Sequence, residues 1–477
     1  MFQLSVVNIL SRFNTKSVEK SEVSRFDIES TEESRSSNYN WKTLTKAGLV
    51  FVTTTGAFLT LKTAGSFNLI ASWWKNSSSK TNLGESSALA NFNNPSTQTY
   101  IAPTNKEQPL THQYAKREPA VNEALIKIGP EFQVNTYTTD SQWSPSMAGL
   151  SDGKFVVTWG DLAQDGSLTG IYGQMFNANG IKYGSEFQVN TYTINYQSAP
   201  MIEGLSDSKF VVTWSSNGQD GDGWGVYVQM FYANGTKYSS EFRVNTYVVS
   251  HQSFPPSTRL NDGKFVVTWH SNGQDGSDCG VYGQIFNANG TKFLSEFQVS
   301  TYTAFDQSYA TVTVLNDGKF VVTWMSYGQD GDDYGIYYQM FNANGTKFLS
   351  ESQVNMYTTY SQEYPSITSL SNGKFIITWS SFGQDKSYYG VYGQIFNTDG
   401  NRNSNEFQIN TYTVGDQKSP SVASLNDSKF VVTWRSNGQD GSGDGIYGQM
   451  FSSNGSKYGS EFQVNTYTTS NSHFDQF

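Results

Sequence analysis

The chain carries one cysteine, Cys279, and four histidines in 477 residues. A lone thiol excludes an intramolecular disulfide, so packing and hydrogen bonds must hold the fold. His251, His270 and His473 stand at no spacing that suits a metal site or a catalytic triad, and Cys279 belongs to no nucleophile constellation. Basic residues number 31 against 41 acidic ones, a formal net charge of −10, which argues against nucleic acid as a partner. Proline is scarce too, at 11 residues.

What the chain has is glycine (43 residues), aromatics (15%) and a repeat. Phe-Val-Val-Thr-Trp occurs at Phe155–Trp159, Phe210–Trp214, Phe265–Trp269, Phe320–Trp324, Phe375–Trp379 (as Phe-Ile-Ile-Thr-Trp) and Phe430–Trp434, each copy 55 residues after the last. Six units with no insertion or deletion indicate a closed or stacked array, because a repeat free to slip tolerates changes of loop length.

Each unit reads as four strands. In the last, Ser419–Leu425 is a first strand, with Pro420 near its start, where no ladder donor is needed. Lys429–Trp434 is the second, Ile446–Phe451 the third and Glu461–Tyr467 the fourth. Turn signals separate them: Asp152-Gly153, Asp262-Gly263 and the less typical Asn426-Asp427-Ser428 after first strands, Asn179-Gly180, Asn234-Gly235, Asn289-Gly290, Asn344-Gly345 and Asn454-Gly455 after third strands. The second strand is apolar on both faces, which an open sheet with one wet face would not be. Four-stranded sheets buried on both sides and repeated about an axis predict a six-bladed β-propeller over residues 128–467. A linear array of small β-units is the alternative. The fourth-strand pattern occurs seven times, from Phe132–Tyr137 to Phe462–Tyr467, so one copy is left over for closing the ring.

The stretch from Phe210 to Tyr227, Phe-Val-Val-Thr-Trp-Ser-Ser-Asn-Gly-Gln-Asp-Gly-Asp-Gly-Trp-Gly-Val-Tyr, resembles repeats of secreted bacterial haemolysin-type (RTX-like) and adhesin-like proteins. The resemblance implies a surface or secreted location, adhesion and a link to calcium. The tandem Gly-Gly-x-Gly-x-Asp signature of calcium β-rolls is absent.

Before the array the composition changes. Residues 1–46 are polar and charged and read as disordered. Residues 47–74 are largely apolar, ending in Trp73-Trp74, and read as a signal-anchor or export segment despite Lys62. Residues 75–127 read as a linker and 468–477 as a tail. The expected location is therefore membrane-anchored or secreted, for a monomeric propeller.

Strand alternation sorts the loops onto two faces. One carries rings of lysines, Lys154 to Lys429 and Lys182 to Lys457, which read as a solubilising rim. The other carries Gln142, Gln197, Gln252, Gln307, Gln362 and Gln417 ahead of the first strands, and an aspartate in each Gln-Asp loop. Around these constant positions stand variable aromatics: Trp143, Trp224, Tyr309, Tyr334, Tyr364 and Tyr389. A fixed frame with variable aromatic tips predicts a binding face for a protein or a glycan. The repeated Gln and Asp also suit plain backbone capping. Paired carboxylates at Asp220/Asp222 and Asp330/Asp332, and Asp440 with Asp444, have spacings that suit calcium, although other units lack the second acid.

Catalytic signals are weak. The array holds Arg243, Arg259, Arg402 and Arg435, each at a different repeat position, so no sialidase arginine triad is laid out. The box Ser-x-Asp-x-Gly-x-x-Trp is missing as well. The sequence reading is a non-enzymatic interaction scaffold needing no cofactor. A glycosidase-like enzyme on the same propeller is the alternative.

Overall fold

The computed structural model describes residues 130–468, apart from 207, 426 and 427. The expected N-terminal segment, anchor and linker lie outside the described residues, as do the tail beyond Thr468 and most of the turn at 426–428. The described chain is all β and forms six four-stranded antiparallel blades in a ring, a six-bladed β-propeller. No described helix is long and apolar enough to cross a membrane.

Blade 1 comprises Gln142–Gly149, Phe155–Leu162, Thr169–Phe176 and Lys182–Gln188, hydrogen-bonded in that order, and blade 6 comprises Gln417–Leu425, Lys429–Asn437, Asp444–Ser452 and Lys457–Gln463. The first strands lie innermost, where those of blades 1 to 6 pack against one another in succession. In blade 3 the first strand is split into Gln252–Ser253 and Ser257–Arg259 around Pro255-Pro256, which cannot donate to the ladder.

The apolar second strand fills the space between blades. In every blade its Phe pairs with a Phe of the third strand, as in Phe155–Phe176 and Phe320–Phe341, with ring centroids 4.9 Å apart in both. Trp159, Trp214, Trp269, Trp324, Trp379 and Trp434 are at most 1% exposed. Truncating one such ring to alanine costs about 3–5 kcal/mol.

Polar struts fix each junction. Asn190, two residues past the outer strand of blade 1, donates from Nδ2 to Gln197 Oε1 (3.2 Å), which opens blade 2, and accepts from the Ile171 N–H of its own third strand (2.7 Å). Glu186, on the outer strand of blade 1, accepts from the Gln164 amide in the loop between the second and third strands of the same blade (2.6 Å) and from the Thr136 N–H of the preceding junction (2.6 Å). Both arrangements recur around the ring.

The surplus fourth-strand copy does not pair into the last blade. Blade 6 uses its own Lys457–Gln463, whereas residues 131–137 lie against blade 1 and reach the end of blade 6 through Glu131, whose Oε1 accepts from Thr466 N–H at 2.6 Å.

Candidate functional site

Every first strand contains a bulge near the face that carries the Gln-Asp loops. The bulged residue is Ser144, Ala199, Phe254, Tyr309, Tyr364 or Ser419, and all six have φ between 48° and 55°. A second ring of positive φ lies just before the first strands, at Asp140, Asn195, Ser250, Phe305, Tyr360 and Gly415. Most blades fill these left-handed positions with small or polar residues, which tolerate them. Blades 4 and 5 place Phe305, Tyr309, Tyr360 and Tyr364 there, and bulky rings at such φ cost roughly 1–3 kcal/mol each. Blade 3 adds Phe254 at φ 52°, so the strained rings stand in the neighbouring blades 3, 4 and 5.

The same sector is aromatic at two further positions. Tyr327 and Phe382 end the second strands of blades 4 and 5, where blades 2, 3 and 6 have Asn217, Asn272 and Asn437. Tyr334 and Tyr389 open the third strands. The rings touch in series: Phe305–Tyr327 at 5.8 Å, Tyr327–Tyr334 at 5.2 Å, Tyr360–Phe382 at 5.7 Å and Phe382–Tyr389 at 5.1 Å. On the inner wall, Phe254, Tyr309 and Tyr364 form an arc with centroid spacings of 4.9 and 5.2 Å. Phe305 and Tyr360 remain 52% and 53% exposed.

Acids stand beside these rings. Glu363 occupies a position held by Trp143, Ser198, Ser253, Ser308 and Lys418 in the other blades. It accepts a hydrogen bond from Tyr389 Oη (3.1 Å), and burial raises its pKa, with Tyr389 and Ser361 pulling it back and Asp333 adding to the rise. Asp306 Oδ2 accepts from Ser308 Oγ (2.6 Å) and Tyr334 Oη (3.1 Å). Burial and both carboxylates also push Tyr309 up to about 12, so it stays a neutral donor at any physiological pH. Lys418 lies over the Tyr389 ring at 4.8 Å and pairs with Asp416 at 3.2 Å. His270 is buried, holds Ser253 Oγ through Nε2 at 2.7 Å, and is lowered to about 4 by burial, so it is a neutral strut under the arc. Burial likewise pushes the Cys279 thiol up to about 12, which makes it unreactive.

Among the residues expected at the binding face, the structure brings together Tyr309, Tyr334, Tyr364 and Tyr389. Trp143 instead packs, partly buried, against the core of blade 1, close over Gly160, and Trp224 opens the third strand of blade 2. The glutamines are corrected from contacts to struts. Gln197, Gln252, Gln307, Gln362 and Gln417 are wholly buried, and Gln142 shares their role: each amide nitrogen donates to a backbone carbonyl two or three residues earlier. The acids expected to bind metal point to separate tasks. Asp330 accepts from its own loop and from Gln353 (3.0 Å), and Asp440 does the same with Gln463 (3.3 Å). Asp222 and Asp332 tie loops to Ser250 and Tyr360 N–H, Asp444 takes Asn437 Nδ2 at 3.0 Å, and Asp220 is tucked over Gly225. Among the described residues no three His, Cys, Asp or Glu side chains come together as a metal site. Sequence reasoning missed Glu363, Asp306, Phe305, Tyr360, Tyr327 and Phe382. The signal available was the departure of blades 4 and 5 from Asn, Ser and Gly at equivalent repeat positions.

No family model and no curated protein matches this sequence. Solved structures share the propeller. A protein of unknown function from Dyadobacter fermentans is 12% identical over 65% of this chain and 94% of its own, with a TM-score of 0.49. An α-L-arabinofuranosidase from Fusarium graminearum is 13% identical over 65% of this chain and 93% of its own (TM-score 0.44). A Hadza microbial sialidase is 10% identical over 61% of this chain and 63% of its own (TM-score 0.42). At these identities the likeness concerns the fold alone. The expectation that the chain is not an enzyme is nonetheless corrected: its structural neighbours include glycosidases and sialidases. The missing arginine triad and box exclude one sialidase pattern and leave other chemistry open.

Proposed function

We propose that this chain is a carbohydrate-active propeller that takes a glycan at the channel mouth over blades 4 and 5. What supports this reading is the gathering of strained aromatic rings in blades 3 to 5, with Phe305 and Tyr360 exposed, beside Glu363 and Asp306. Aromatic faces stack on the apolar faces of sugar rings, and carboxylates and phenols satisfy the hydroxyls between them. In the proposed reaction Glu363, held towards its protonated form by burial, gives its proton to the glycosidic oxygen as the C–O bond breaks, while a water molecule that passes a proton to the second acid, Asp306, adds to the sugar carbon.

The test is incubation of the full chain with a panel of neutral and acidic polysaccharides, following reducing-end release and binding. Cleavage that Glu363→Gln abolishes while binding persists supports the reading. Absence of both binding and cleavage across the panel refutes it. Binding retained by Tyr309→Ala/Tyr364→Ala would place the glycan elsewhere.

A further inference from the structure

The first-strand position that Glu363 holds in blade 5 is taken by Lys418 in blade 6. Lys418 faces Arg435 across the ladder, and the second-strand position of Arg435 is Gly160, Ser215, His270, Met325 or Ser380 in the other blades. Two bases therefore stand as register partners beside the blade that carries Glu363. A third, the exposed Lys386, occupies a left-handed loop position (φ 71°) that glycine holds in the other five blades. Its loop leads into Tyr388 and Tyr389, and a lysine kept at such a φ is strained where glycine is not.

The two partners are not saturated. Lys418 pairs with Asp416 at 3.2 Å and lies over the Tyr389 ring, whose hydroxyl holds Glu363, and an ammonium with one acid beside it has donors to spare. Arg435 is matched less well. Its Nη1 stands 3.6 Å from Asp444 Oδ2, too far for a hydrogen bond, and its Nε is buried with no partner. Asp444 also takes Asn437 Nδ2 at 3.0 Å, so its carboxylate is shared. A charged donor shielded from water and left unfilled is costly, and an anion with two oxygens satisfies a guanidinium in a forked pair. The Lys418 and Arg435 side chains are 22% and 26% exposed, so a ligand reaches both. These donors lie at the blade 6 end of the aromatic sector, whereas Glu363, Asp306 and Asp333 lie towards blade 4.

We propose that Lys418 and Arg435 form a subsite for an anionic sugar, with a carboxylate or sulfate on the Arg435 fork and Lys418 beside it. The glycan then lies with its acidic unit over blade 6 and its next units across the rings of blades 5 and 4. This inference rests on the glycan reading above and narrows it to acidic glycans. Carboxylate and sulfate share the paired oxygens that a guanidinium recognises, and a neutral sugar has no group that fills those donors.

The experiment measures affinity of the full chain for two matched pairs of probes, polygalacturonate beside its carboxyl-reduced form and dextran sulfate beside dextran. At least one charged probe is expected to bind at least ~10-fold more tightly than its neutral partner, and which one does so separates carboxylate from sulfate. Lys418→Gln and Arg435→Gln should each cut that ratio at least ~3-fold, and the double variant should bring it to about one, with melting curves showing that each variant folds. Raising salt from about 0.05 M to about 0.5 M should erode the ratio in the unaltered chain, a reading that needs no variant. A ratio that survives in the folded double variant overturns the proposal. Equal affinity for charged and neutral probes, or binding of neutral glycans alone, overturns it and leaves the glycan site standing. Binding of no glycan at all removes both.

Discussion

Tyr338 and Ser352 are register partners on adjacent strands of blade 4, and they have exchanged size relative to the other blades. Elsewhere a small residue (Gly173, Val228, Gly283, Gly393, Gly448) faces a phenylalanine (Phe187, Phe242, Phe297, Phe407, Phe462). A Cβ at Gly173 would lie 2.8 Å from the Phe187 ring, so the two large groups exclude each other. In blade 4 the Tyr338 ring takes over the missing phenylalanine's contact, 5.1 Å from Phe396, and its hydroxyl donates to Gly400 O at 2.7 Å. Chemical denaturation of the double-mutant cycle tests this exchange. Tyr338→Gly should cost about 3–5 kcal/mol and Ser352→Phe about 1–3 kcal/mol, whereas the double variant should recover at least ~1 kcal/mol of their sum. Strict additivity would show that the two side chains do not share one space.

Asp161 replaces a serine found at this position in the other five blades, and it is wholly buried. Burial raises its pKa from 3.8 to about 6, against the pull of Trp159 and Gln142. The unfolded chain therefore ionises first, and the stability held by the protonated carboxyl is lost as pH rises from 3.8 through about 6. Asp161→Ser should raise stability at pH 8 by roughly 1–3 kcal/mol and change little below pH 4. Denaturation curves at both pH values decide it, and an equal gain at both would remove ionisation as the cause.

Tyr360 sits at φ 60°, where blade 6 has Gly415 at φ 74°. Tyr360→Gly should relieve strain and stabilise the fold by about 1 kcal/mol, while weakening glycan binding at least ~10-fold. Calorimetry and a binding assay on one preparation check both halves. A destabilised variant would mean that the ring's packing on Phe382 outweighs its backbone strain.

Gly335 has no room for a side chain: a Cβ there would lie 2.5 Å from Asp330 Oδ2. Gly335→Ala should push Asp330 off Gln353 and its own loop, costing about 1–3 kcal/mol and exposing residues 328–333 to proteolysis. An unchanged cleavage pattern would show that the aspartate does not hold that loop.

Tyr389 pulls the pKa of Glu363 down through its hydrogen bond. Tyr389→Phe should therefore raise that pKa further and move the alkaline limb of any glycan-cleaving activity to higher pH, because the acid must stay protonated to donate. A pH–rate profile of the variant measures it, and a limb that stays in place would show that Glu363 is not the acid.

The sequence by itself determined the propeller. A spacing of 55 residues without drift, a second strand apolar on both sides and Asn-Gly turns leave little freedom, because local turn chemistry and burial agree in every unit. Tertiary structure alone decided which repeated side chains are struts. The asparagine–glutamine pairs that join neighbouring blades stand only seven residues apart and recur with the repeat, yet a buried amide looks the same in sequence as an exposed one. It also decided that the aromatic tips of blades 4 and 5 form one sector without Trp143 and Trp224, since contact in a ring depends on which blade and which left-handed bulge carries each side chain. The surplus strand pattern at 131–137 was countable beforehand; only the structure showed that it lies against blade 1 and not in the last blade.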